Sequence, residues 1–150
     1  MSKHRVLSIV VVLLFSGCFQ RQANQVKFVL PDHSEGVFVV EENESGGVPD
    51  VKGDEITLRI PINGKLLLSD TTFLTRWHSW RVFYQNGTEI DALFDPHDVS
   101  GTNIRCWALF STSKRDYWFA GTTADRNSIR NLPESQLGPF FLRQRTDRDR

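Results

Sequence analysis

The chain has 150 residues and a mass of 17.2 kDa, room for one domain. Lys plus Arg and Asp plus Glu both total 18, and 39% of residues are hydrophobic. That balance excludes a disordered chain, a multi-spanning membrane protein and a basic nucleic-acid binder. The only cysteines, Cys18 and Cys106, are too few for a disulfide framework or a Cys-rich zinc site.

Met1 to Arg5 is short and basic, Val6 to Phe15 is an apolar run, and Ser16-Gly17-Cys18 closes it. This is the order of a secretory signal over residues 1–17. The run falls short of the roughly 20 residues a membrane-spanning helix needs. Leu14-Phe15-Ser16-Gly17-Cys18 resembles a bacterial lipobox, with Phe15 where Leu is usual. The resemblance implies an exported lipoprotein cleaved before Cys18, whose sulfur carries diacylglycerol and whose acyl chains, palmitate among them, hold the membrane. Phe19, in place of Asp after the Cys, implies outer-membrane sorting where the cell has one. Two or three chains at about 0.8 kcal/mol per buried CH₂ give a firm anchor. Residues 18–25 are then a lipidated polar tether, reaching about 15 Å. Loss of Lys3 and Arg5 leaves 16 basic and 18 acidic residues, a net charge of −2.

From residue 26 to 142 the hydrophobic period is close to two, the signature of strands. Val26 to Leu30 is β-branched and aromatic, stopped by Pro31-Asp32-His33. Gly36 to Glu41 is a second strand, and Glu42 to Asp54 reads as a turn-rich acidic loop. In Glu55 to Ile60, Ile56, Leu58 and Ile60 share one face. Pro61-Ile62-Asn63-Gly64 signals a hairpin into Lys65 to Leu68.

Phe73 to Gln85 is the longest predicted strand, and Asn86-Gly87 turns it back through Thr88 to Leu93. Ile104 to Phe110 and Tyr117 to Ala120 are strands joined by a polar turn. Thr122 and Asp125 have capping-box spacing, so one short helix or a turn is expected near 122–131. Residues 143–150 alternate Arg with Asp and read as a flexible, solvated tail. The expected fold is all-β: a single sandwich or open barrel of about 7–9 short strands.

Phe28-Val-Leu-Pro31, Gly36-Val-Phe-Val-Val40, Gly47-Val-Pro49 and Ile60-Pro-Ile-Asn-Gly64 with Leu67 resemble a family of small secreted bacterial β-rich domains. That resemblance implies a fold and no catalytic residues. The hairpin order is also similar to transthyretin-type sandwiches.

Asp95-Pro96-His97-Asp98 offers two carboxylates and an imidazole to a metal, the basis of an alternative reading as a small metal-dependent hydrolase. The competing reading is a Pro turn begun by Asp95. His33 and Glu35 share another turn. Cys106 lies in an apolar strand, where a buried small hydrophobe is commoner than a nucleophile. Glu41, Glu42, Glu44, Asp50 and Asp54 form either a solvated loop or a calcium site. No catalytic motif, metal set or cofactor is assigned.

The large aromatics Trp77, Trp80, Tyr84, Trp107, Tyr117 and Trp118 are numerous for this length. They appear on both faces of Phe73 to Gln85 and of Ile104 to Phe110, where a sandwich strand normally keeps one face polar. Either Trp77, Trp80 or Trp107 lies on an exposed patch that meets an envelope glycan or protein, or a further layer such as Thr122 to Arg143 hides them.

Overall fold

The computed structural model describes residues 25–76, 78–90 and 103–145. Among them are ten strands: β1 (Gln25–Leu30), β2 (Ser34–Gly47), β3 (Asp50–Lys52), β4 (Glu55–Arg59), β5 (Lys65–Leu68), β6 (Ser79–Tyr84), β7 (Glu89–Ile90), β8 (Arg105–Ser111), β9 (Arg115–Gly121) and β10 (Arg143–Gln144). One short helix, α1 (Thr123–Ile129), follows β9. The first sheet has the order β3-β4-β1-β6-β7. The second runs β10-β2-β9-β8, with β5 also paired to β2. Both sheets are mixed, and together they form an all-β, sandwich-like fold.

The core between the sheets follows the period-two alternation. Val26, Phe28 and Leu30 of β1, Ile56 and Leu58 of β4 and Val82 of β6 face Phe38 and Val40 of β2, Cys106 of β8 and Trp118 and Ala120 of β9. A second core lies on the outer face of the second sheet. There Val37, Val39, Trp107, Tyr117 and Phe119 are covered by Ile129 of α1 and by Leu137. The covering segment is α1 followed by 3-10 turns at Glu134–Gln136 and Gly138–Phe140. The second sheet is therefore the middle of three layers. Strands buried on both faces lose their polar alternation, which is why Val37 to Val40 are all buried.

Two local signals hold. Asn86-Gly87 makes the β6–β7 hairpin, with Gly87 at φ +88° and the Tyr84 N–H donating to the Thr88 carbonyl at 2.8 Å. Thr122 caps α1, its Oγ1 accepting from the Asp125 backbone N–H at 3.2 Å.

Other expectations are corrected. Phe73 to Gln85 is not one strand: Thr72–Thr75 is a 3-10 turn, and β6 begins only at Ser79. Its start fits the Asp70 carboxylate, which accepts the Thr72 N–H at 2.8 Å. Among the described residues the longest strand is β2, which continues through Glu42 to Gly47 where a loop was expected, and β3 follows. Gly46 makes this extension fit, because a Cβ there would stand 2.4 Å from the Leu68 carbonyl carbon of β5.

Pro61 to Gly64 is a tight turn, its Gly64 N–H donating to the Pro61 carbonyl at 2.9 Å, but not a hairpin. It carries the chain from β4 in the first sheet to β5 in the second. The expected hairpin order gives way to parallel pairs: β1 lies between β4 and β6, parallel to both, and β5 is parallel to β2. Within the expected tail, Arg143 and Gln144 pair with Glu35 and Ser34.

Candidate functional site

A cavity of about 350 Å³ opens between the start of β2, β10 and α1. Its apolar wall is Phe119, Ile129 and Phe140, and its polar rim carries Glu35, Asp125, Arg143 and Arg145. Local sequence explains the shape. Gly36 has φ +130°, and a Cβ there would lie 2.5 Å from the Phe140 carbonyl, so only glycine lets that turn close the wall. The Glu35 carboxylate accepts from Arg145 Nη1 at 2.7 Å, and the Arg145 backbone N–H donates to the His33 carbonyl at 3.0 Å. These bonds dock β10 beside β2.

Asp125 is held by Thr122, whose hydroxyl donates to Oδ2 at 2.7 Å. Ser128 Oγ donates to the Asp125 carbonyl at 2.6 Å. Among the described residues no carboxylate pairs with Arg143, and no histidine lines the cavity. The arrangement can hold a small molecule against an apolar wall and offer a guanidinium to an acidic group.

Beside the second core lies a polar network. Arg115 reaches Glu41 through Nε at 3.0 Å and bonds Glu134, while Tyr117 donates its hydroxyl to Glu134 Oε1 at 2.6 Å. Burial, and then its bond to Glu134, pushes the Tyr117 phenol up to about 12. The Tyr117 hydroxyl, and then Arg115, hold the Glu134 carboxyl below the ordinary range. This network fastens the outer layer to the sheet.

The aromatic candidates separate. Trp107 is buried, stacked on Phe119 at 5.9 Å with the Arg126 guanidinium 5.4 Å from its ring centroid. Trp80 is half-buried on the other side of the second sheet, edge-on to Trp118 at 4.9 Å. They do not share a surface. Trp77, Cys18, Asp95, His97 and Asp98 lie outside the described residues.

Cys106 is buried in the main core, and desolvation pushes its thiol up. The acidic residues are dispersed: Glu41 pairs with Arg115, Glu42 accepts from the Thr71 hydroxyl at 3.2 Å, and Asp50 lies 3.9 Å from Lys52. Among the described residues no group of three His, Cys, Asp or Glu side chains is placed to hold a metal. No helix among them is long and apolar enough to cross a membrane.

Arg143, Phe140 and Ser128 were not singled out in the sequence. The signal available was Gly138-Pro-Phe-Phe141, an apolar turn inside an otherwise polar C-terminal stretch.

No family model and no curated protein matches the chain. A crystal structure from Bacillus anthracis, of a protein described as a candidate lipoprotein, is similar at a TM-score of 0.44 and 12% identity, covering 79% of this chain and 87% of that one.

Proposed function

We propose that the protein is an exported lipoprotein, anchored by lipid on Cys18, whose sandwich is a binding module of the cell envelope. The observation that carries this reading is Leu14-Phe15-Ser16-Gly17-Cys18 directly after a basic start and an apolar run. The cavity supports binding as the activity. Its apolar wall and Arg143, which no carboxylate pairs among the described residues, suit a small envelope component with an acidic group and an apolar body.

Metabolic labelling with palmitate tests the anchor. The parent chain incorporates label and partitions with membranes, whereas Cys18→Ala loses both. Equal labelling of the two overturns the reading.

A further inference from the structure

We infer that the sandwich stands on its anchoring bilayer at the end where β1, β4 and β6 begin, and holds the cavity at the opposite end, open to the aqueous side. This rests on Cys18 as the lipid-bearing residue. It adds which face meets the membrane and from which side a ligand arrives.

The topology sets the exit point of the tether. β1 is the middle strand of the first sheet, and its first residue, Gln25, is level with Glu55 and Ser79, the first residues of its two parallel neighbours. The chain therefore leaves from the centre of that end and not from a corner. The Gln25 N–H donates to the Asp54 carbonyl at 2.9 Å, which pins the exit against the turn between β3 and β4.

The connections at the other end are equally clear. The turn after β1 leads straight to Glu35 and Gly36 on the cavity. The Asn86 N–H donates to Asp32 Oδ1 at 2.8 Å, so the β6–β7 turn sits at that same end. The β4–β5 turn joins them, a Cβ on Gly64 falling 2.9 Å from the Val37 carbonyl oxygen. β9 runs antiparallel to β2 and delivers Gly121 and α1 to this end as well.

Lengths then decide the orientation. β1 has six residues, which at roughly 3.3 Å each separate the two ends by about 20 Å. A segment of the length between Cys18 and Gln25 spans no more than about 25 Å fully drawn out, and a coil of that many residues averages about 15 Å. To bring the cavity end to the bilayer, it would have to run nearly its whole length back along the sheet. The near end needs no such extension. It also presents suitable groups: Val51 is 56% exposed and the Lys52 side chain 81% exposed beside the open Gly53 turn. Val51 offers the headgroup layer a short apolar side chain, and Lys52, whose ammonium lies 3.9 Å from the Asp50 carboxylate, a long stem with a polar tip. A ligand of the cavity accordingly comes from the aqueous phase and not from the lipid of the anchoring bilayer.

The test uses the full chain, purified in acylated form and inserted into preformed phosphatidylcholine–phosphatidylglycerol vesicles containing a nitroxide-headgroup lipid. A single fluorophore is placed at Lys52→Cys, Gln85→Cys or Asn127→Cys. Cys18 carries lipid and Cys106 is buried, so neither takes the dye. The label at position 52 should be quenched at least twofold more than those at 85 and 127. Equal or reversed quenching in protein that floats with the vesicles overturns the orientation and leaves the anchor standing. Failure of the acylated parent to form or to float overturns the anchor, and the orientation with it.

Discussion

Trp118 and Phe119 are consecutive in β9 and enter different cores. The Trp118 ring lies 4.7 Å from Phe28 of the first sheet, while Phe119 stacks at 5.9 Å on Trp107 beneath the outer layer. Alternate residues of a strand point to opposite faces, and here both faces are covered. Trp118, Phe119 and Trp107 are therefore accounted for by two cores on one sheet. The outer layer is small, and its hold on the sheet controls both the second core and the cavity at its edge.

Truncating that layer should be costly. Leu137 is fully buried against the outer face of the second sheet. Leu137→Ala is expected to lower stability by about 2–4 kcal/mol, read by urea denaturation. Iodide should then quench Trp107, while Trp118 stays protected in the main core. Wild-type stability in this variant would show the outer layer to be dispensable.

The network around Glu134 makes stability depend on pH at both ends of the scale. Glu134 has a depressed carboxyl, so its contribution is present above the ordinary carboxylate range and is lost as pH falls through its folded value. Glu134→Gln should flatten the acid limb of the stability profile. Tyr117 shifts the other way, to about 12. Its contribution is complete below about pH 10, the unfolded value, and declines as pH rises through the folded one. Phenolate absorbance near 295 nm should show a late-titrating tyrosine that Tyr117→Phe removes.

Two glycines with similar backbones separate strain from collision. Gly53 has φ +62° and open space around its missing Cβ, whereas Gly64 has φ +73° and a Cβ position 2.9 Å from the Val37 carbonyl and 3.1 Å from Phe141 Cδ1. Alanine at either site meets the left-handed penalty of about 1–2 kcal/mol. Gly64→Ala should cost clearly more, because the β4–β5 turn must also move off β2. Equal midpoints in thermal denaturation would contradict the close approach.

Much of the fold was legible from residue patterns. The alternation of Ile56, Leu58 and Ile60 marks β4, Asn86-Gly87 marks the one hairpin turn it was expected to make, and Thr122 with Asp125 marks the start of α1. These signals are local: each depends on side chains within a few residues of the backbone they direct. The run from Phe73 failed for a local reason too, since the Asp70 carboxylate and the Thr72 N–H favour a turn that an aromatic pattern does not reveal.

The cavity was not legible, because Glu35, Phe119, Asp125 and Arg143 come from four separate elements. Their meeting depends on β10 pairing with Ser34 and Glu35, more than a hundred residues away in sequence, and on Gly36 admitting the Phe140 carbonyl. A glycine in a strand pattern signals a close approach, but not what approaches.

The amino-acid sequence by itself determined where strands form and which of their faces are apolar, because a period of two and a turn dipeptide act within one segment. Only the tertiary structure decided which strands lie side by side. A strand edge presents the same N–H and C=O groups to any partner, so nothing in β1 names β4 and β6 as parallel neighbours, and nothing in Pro61 to Gly64 says that it changes sheets. Burying Trp118 inward and Phe119 outward at once likewise requires both sheets and the outer layer to be assembled together.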